Sequence, residues 1–198
     1  NRFAHLLRTH GIGAGDAFAV LLENRIEYFT LIWGSQRAGT MLVPISSRLT
    51  APEAAYIIRD AQAKLLITSG YFSGILGDIR AECPGLQVLV MDSGDAEDFA
   101  AALAAQPPTP IPDQSAGMLM LYSSGTTGRP KGIRPAPPED PDPAAPVPLL
   151  GLATMGMGMP ADGSMVYLSP APLYHAAPIG WCSVVHRLGG TVVMMEKF

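Results

Sequence analysis

Tyr122-Ser123-Ser124-Gly125-Thr126-Thr127-Gly128-Arg129-Pro130-Lys131-Gly132-Ile133 is the stretch on which the reading of this chain turns. An apolar run, Gly117 to Tyr122, feeds into it, and from Ser123 to Lys131 it gathers two serines, two threonines, two glycines and a lysine. Glycines let the backbone take positive φ and come close to a ligand, while hydroxyls and successive N–H groups supply short, adjustable donors. Successive N–H groups in a tight turn form a concave nest for phosphate oxygens, and Lys131 adds a point charge. The composition therefore suits an anion, and a phosphate chain is the natural guest. A Walker loop is excluded by register: G-x-x-x-x-G-K-[ST] begun at Gly125 needs a glycine where Pro130 stands, and begun at Gly128 one where Ile133 stands. A ligand-free hairpin turn would explain the glycines but not the run of hydroxyls followed by a lysine.

Upstream, strand and helix patterns alternate. Phe3, Leu6 and Leu7 share one face of a helix over residues 2–9, ended by Gly11 or Gly13. Ala17–Leu22 has the length of a buried strand. Asn24 is placed to cap a helix over Arg25–Ala38, Gly39 ends that helix, and Met41–Ile45 is the next strand. The unit repeats: Thr50 and Glu53 have capping-box spacing before a helix over Pro52–Ala61. Then come a strand at Lys64–Thr68, a helix at Tyr71–Glu82, a strand at Gln87–Met91 and a helix at Asp95–Ala105. Such alternation predicts an α/β fold of βαβ units, a largely parallel sheet with helices on both faces. Prolines at 107, 108, 110 and 112 mark an extended connector. The expected organisation is a first α/β subdomain over 1–105, a Pro-rich connector over 106–116, and the start of a second α/β subdomain over 117–198.

Downstream, residues 134–148 carry seven prolines and read as an irregular insertion, because each proline removes a donor and constrains its neighbour. Val147–Met159 resumes as a helix with glycine breaks, where Met155, Met157 and Met159 are expected to pack. Ser164–Ser169, Ala177–Leu188 and Thr191–Met195 read as strand, helix and strand. Between the first two of these, Pro170 and Pro172 turn the chain and place the pair Tyr174-His175 at a loop-to-helix junction.

Composition narrows the function classes. The chain has 198 residues, 48% apolar and only 15% charged, with a mean hydropathy of +0.23. That surplus of apolar character fits a piece of a larger protein and predicts self-association as a homodimer through uncovered surface. The 13 lysines and arginines are scattered, so nucleic acid is not an expected partner. The longest apolar stretch, Val147–Met159, is broken by Pro148 and glycines and falls short of the ~20 residues of a spanning helix. The charged opening Asn1-Arg2-Phe3 is not that of a signal peptide, and a cytoplasmic protein is expected. Cys83 and Cys182 lack metal-site spacing and read as reduced, packed thiols.

Taken whole, Ser123 to Lys131 resembles the phosphate-binding signature of the adenylate-forming enzymes: acyl-CoA synthetases, aryl-CoA ligases, luciferases and peptide-synthetase adenylation domains. Leu21-Leu22-Glu23-Asn24, Gly39 to Ile45 and Gly189-Gly190-Thr191 extend the likeness, and Tyr174-His175 matches an aromatic-His pair found downstream of the loop in that family. The Pro-rich insertion is where this chain departs from it. The resemblance implies the N-terminal domain of an acyl-CoA synthetase-like fold, incomplete here, and a reaction in two halves. A carboxylic acid attacks the α-phosphorus of ATP to give an acyl-adenylate and pyrophosphate, then coenzyme A displaces AMP. It further implies that Ser123, Ser124, Gly125, Thr126, Thr127, Gly128 and Lys131 hold the ATP phosphates, that Thr126 or Thr127 reaches Mg²⁺, and that Tyr174 and His175 line the acyl and coenzyme A side. The family's later adenine, ribose and hinge motifs and its C-terminal lysine are not found before Phe198, so the chain is expected to be inactive by itself. The alternatives are a complete, non-catalytic nucleotide-binding protein or assembly partner, and part of a peptide-synthetase or luciferase-like enzyme.

Overall fold

Strand Ala17–Leu21 (β1) is buried along its whole length, as expected of a strand covered on both faces. In the computed structural model, which describes residues 1–95, 98–123 and 130–197, it is the middle of a five-stranded parallel sheet. Met41–Pro44 (β2) and Leu65–Ser69 (β3) flank it, Gln87–Met91 (β4) lies beyond β3, and Met118–Leu119 (β5) lies beyond β2. Alternation along β1 divides the core in two. Phe18 and Val20 pack with Phe3, Leu7, Tyr28 and Leu31 from helices Arg2–Thr9 (α1) and Glu27–Ala38 (α2). Ala17, Ala19 and Leu21 pack with Ala54, Ile57, Ile58 and Ile79 from helices Ala51–Asp60 (α3) and Ser73–Glu82 (α4). The expected α/β architecture, a parallel sheet between two helical layers, is what the chain forms.

Of two expected caps, one forms and one does not. Glu53 accepts from the Thr50 backbone N–H and hydroxyl at 2.8 and 2.7 Å, so the reciprocal start of α3 holds. Asn24, however, caps nothing: α2 begins at Glu27, and the Asn24 side chain is drawn to partners more than a hundred residues away. The helix expected from Asp95 is shorter, Phe99–Ala104 (α5), because the Asp98 carboxylate accepts the Ala101 N–H at 2.8 Å and sets its start.

The connector runs along α1, which takes up its carbonyls. Arg2 donates to Gln106, Asn1 to Pro108 at 2.8 Å, His5 pairs with the Thr109 carbonyl at 2.9 Å, and Arg8 meets Asp113 at 3.0 Å. At Gly117 the chain passes so close to α2 that a Cβ would sit 2.3 Å from the Ser35 carbonyl oxygen, and only glycine lets β5 reach the sheet edge. Leu121–Ser123 (β6) and Lys131–Ile133 (β7) then form an antiparallel hairpin.

Residues 134–147 contain no helix or strand, as the prolines predict; Pro148–Gly151 (α6) follows and leads into a wider turn over Leu152–Gly156. Arg187 donates to the Pro143 and Ala145 carbonyls at 3.0 and 3.3 Å, and Ala116 to the Pro141 carbonyl at 2.7 Å, so the insertion is tied down at three points. The methionine expectation needs correcting: Met159 packs against Ala153, Val184 and Leu188, but Met155 and Met157 are exposed. Only Met155 lies within the turn over Leu152–Gly156, where it points to solvent, while Met159 follows after the helical path has ended and the chain turns back toward α7. Val166–Ser169 (β8) and Thr191–Met194 (β9) pair in parallel, joined by helix Ala176–Arg187 (α7). Both cysteines are buried, free thiols.

Candidate functional site

The Ser/Thr/Gly-rich stretch is the connection of the β6–β7 hairpin. Ser124, Gly125, Thr126, Thr127 and Gly128, with Arg129, lie outside the described residues; the legs are described. Ser123 stands directly opposite Lys131, Tyr122 opposite Gly132, and Leu121 opposite Ile133. Directly opposed residues project to the same face with Cβ atoms about 5 Å apart, so a hydroxyl and an ammonium flank the loop on one side. Both residues are exposed. A Cβ at Gly132 would lie 2.6 Å from Cε of Met120 and 2.8 Å from Cζ of Tyr122, so a side chain there would have to displace the ends of both. The Tyr122 hydroxyl donates to the Asp60 carboxylate at 2.6 Å. Burial, followed by that hydrogen bond, pushes the phenol well above the usual tyrosine range, so it remains a proton donor.

Tyr174 and His175 stand where β8 hands over to α7, with His175 at the position preceding the helix. Their rings touch, with centroids 4.5 Å apart. Tyr174 is half-buried and helps wall an open cavity of about 1220 Å³ together with Leu22, Arg25, Tyr71, Met194 and Lys197. His175 is exposed and stands outside that wall. The hairpin thus forms one two-stranded sheet and the pair follows a strand of another, both apart from the five-stranded sheet.

Asn24 makes one of those attachments. Its Nδ2 donates to the carbonyls of Ala171 at 3.2 Å and Met195 at 2.9 Å, and its Oδ1 accepts the Leu173 N–H at 2.8 Å. A single side chain therefore joins the end of β1 to the turn that carries Tyr174 and to the chain leaving β9. One cation of the cavity wall, Arg25, is already neutralised. Arg25 meets Glu27 at 2.9 Å, Asp92 at 2.8 Å and Glu23 at 3.3 Å. Glu27 first, then Asp92, raise the Arg25 pKa, and the guanidinium in turn holds the Glu27 carboxyl below its ordinary value. With three carboxylates around it, Arg25 is a structural hub rather than a receptor for an anionic substrate.

Phosphate chemistry fits the hairpin mouth by its donor set, a hydroxyl and a lysine across one strand pair. Among the described residues no group of three or more His, Cys, Asp or Glu side chains is arranged to hold a metal ion, and Thr126 and Thr127 lie outside them. Sequence reasoning missed Asn24 as a tertiary anchor and missed Tyr56 and Asp60, which contact the hairpin from α3. The available signal was weak: two polar residues one turn apart on a helix whose other face is apolar.

The family profile described as AMP-binding enzyme matches residues 1–198. The long-chain-fatty-acid–CoA ligase FadD13 of Mycobacterium tuberculosis is 33% identical over 135 residues, covering 67% of this chain and 27% of the relative. The inhibitor-bound N-terminal domain of FACL13 from Mycobacterium tuberculosis superposes with a TM-score of 0.77 at 27% identity, covering all of this chain and 48% of that one. ATP-bound MatB from Rhodopseudomonas palustris superposes with a TM-score of 0.78 at 25% identity, covering 100% of this chain and 38% of that one. The chain thus spans about a quarter of the curated relative and about half or less of the solved structures.

Proposed function

The chain belongs to the AMP-binding enzyme family, and on that premise we propose that it is the N-terminal part of an ATP-dependent ligase that joins a carboxylic acid, of the fatty-acid class, to coenzyme A. The observation that carries the reading is the pairing of Ser123 with Lys131 across the mouth of a Ser/Thr/Gly-rich hairpin. The likeness to FadD13 and to the FACL13 N-terminal domain supports the acyl class. ATP in the MatB structure supports the nucleotide.

In this reading Ser123, Ser124, Gly125, Thr126, Thr127, Gly128 and Lys131 hold the phosphates of ATP, and Thr126 or Thr127 contributes to a Mg²⁺ site. The metal, when bound, neutralises charge on the departing pyrophosphate. Lys131 and the loop donors fix the polyphosphate so that the α-phosphorus is presented to the carboxylate, which is catalysis by positioning and electrostatics. Tyr174 and His175 mark the acyl and coenzyme A side. The division into 1–105, 106–116 and 117–198 belongs to the same reading, as do a cytoplasmic location and self-association of the chain as a homodimer. Among the described residues no helix is long and apolar enough to cross a membrane.

Carboxylate-dependent ATP–pyrophosphate exchange tests the proposal. The natural-length product of the reading frame that contains this chain is assayed with a panel of straight-chain fatty acids, alongside residues 1–198 alone. The expected result is exchange by the former, reduced about a hundredfold by Lys131→Ala, and none by the latter. No exchange with any acid would overturn the ligase reading, and exchange by residues 1–198 alone would overturn the inactivity of this piece.

A further inference from the structure

Helix α3 touches both legs of the phosphate hairpin. On the entry leg, the Tyr122 hydroxyl donates to Asp60 at 2.6 Å and lies 3.5 Å from the Ile57 carbonyl. At the entrance to the exit leg, the Tyr56 hydroxyl donates to the carbonyl of Pro130, the residue immediately before β7, at 3.2 Å. Tyr56 and Asp60 are four positions apart, hence on one face of the helix and about 6 Å apart along its axis. The two contacts therefore form a two-point attachment rather than a pivot.

The helix that supplies these contacts is itself well fixed. Its start is closed by the Thr50–Glu53 pairing, its far face buries Ala54, Ala55, Ile57 and Ile58, and Arg59 pairs with Glu82 of α4 at 2.8 Å. The hairpin is the opposite case, with three residues in each leg and three cross-strand pairs. A two-stranded hairpin of that size is marginal without support. Its legs nevertheless carry Ser123 and Lys131, the outermost pair before the loop, and any play in the legs is passed on to their separation. Ordering a lysine and a loop around a polyphosphate is an entropic cost that a fixed frame reduces in advance.

We propose that Tyr56 and Asp60 are positioning residues that lock both legs of the hairpin to α3, holding Ser123 and Lys131 at the spacing a nucleoside triphosphate's polyphosphate requires. The proposal rests on the phosphate-binding reading above, but one arm of its test does not. Amide hydrogen exchange is measured on residues 1–198 without nucleotide, as the unmodified chain and as the Tyr56→Phe/Asp60→Ala double variant. The expected result is exchange about tenfold faster at the β6 and β7 amides, with α3 and α4 unchanged. Unchanged hairpin amides, or opening of α3 together with the hairpin, would overturn the anchoring role. The second arm uses the natural-length protein: the KM for ATP rises about tenfold in the double variant, as expected when preorganisation is lost, while the KM for the carboxylic acid stays where it was. Asp60→Asn, which keeps an acceptor for Tyr122, is expected to restore most of the Asp60→Ala loss. A parallel rise of both KM values would identify a general folding defect and overturn the positioning role. Should the unmodified protein adenylate nothing, the ligase reading fails, and the exchange measurement still decides the anchor.

Discussion

Asn24 shows how much a single uncharged side chain can hold. It is only 8% exposed, and its two donors and its acceptor are committed to Ala171, Met195 and Leu173. Replacement by alanine removes the partner of the buried Leu173 N–H and of the carbonyls of half-buried Ala171 and exposed Met195; a buried polar group so stranded costs about 1–3 kcal/mol, and the two carbonyls that water can reach cost less. Asn24→Ala is therefore expected to lower unfolding stability by about 3 kcal/mol, read as a lower urea midpoint at unchanged slope. Asn24→Asp keeps the acceptor but turns a carboxylate toward two carbonyl oxygens, and is expected to cost at least as much. A change within about 0.5 kcal/mol for either variant, the range of an ordinary surface substitution, would show that the junction is held by other groups. The position was legible in sequence as a polar residue after an apolar strand, which is why local rules made it a helix cap. Its actual partners lie 147 to 171 positions away, and no local spacing encodes them.

Helices α2 and α7 meet through a small polar contact set in an apolar seam. The Trp33 indole N–H donates to Nδ1 of His186 at 3.1 Å, the His186 ring meets Phe29 edge-on at 4.8 Å, and the Arg187 guanidinium lies over the Trp33 ring. The indole donor requires an unprotonated Nδ1, and burial lowers the His186 pKa below its ordinary value. The sign follows from linkage. The unfolded chain takes up the His186 proton first, near pH 6.5, so the contribution of the neutral ring is complete above that pH and is lost as pH falls through it toward the lower folded value. Between pH 7 and 5 the thermal midpoint is expected to drop, with about 2 °C of the drop absent from His186→Gln; an identical slope in the variant would exclude His186 as its source. At this scale the chain was largely readable. Strands β1 to β4 and helices α1 to α4 follow from apolar periodicity and from the Thr50–Glu53 cap, because those signals are local. Less was readable where one side chain competes with its neighbours: Asp98 shortens α5, and the glycine-spaced methionines divide between solvent and core. The Ser/Thr/Gly-rich stretch itself stood out by composition, whereas the antiparallel pairing of its flanks and their contacts with Tyr56 and Asp60 depend on where α3 comes to lie.

The whole chain carries an imbalance that its parts do not show. The β8–β9 pair packs Tyr167, Val192 and Met194 inward but presents Val166, Leu168 and Val193 outward, at 69%, 55% and 48% exposure. Parallel sheets are almost always covered on both faces, since the crossover helix can cover only one. Here α7 covers one, and the other is open. The mean hydropathy of +0.23 and charged fraction of 15% leave little polar surface to offset it. In the ligase reading, further chain seats against this face, as expected when a chain is matched throughout but accounts for 48% of the FACL13 N-terminal domain. Without that cover, mass action favours a second copy, and association grows with concentration. Light scattering at about 100 µM is expected to give a weight-average mass well above the 20.9 kDa of one chain, falling toward it on dilution. Leu168→Lys combined with Val193→Glu should return the mass to that of a monomer at every concentration. The midpoint of unfolding under dilute conditions should change little, because exposed side chains contribute little to the monomer's own stability. A monodisperse monomer in the unmodified chain, or association undiminished by the double substitution, would show that this face does not drive contact between copies.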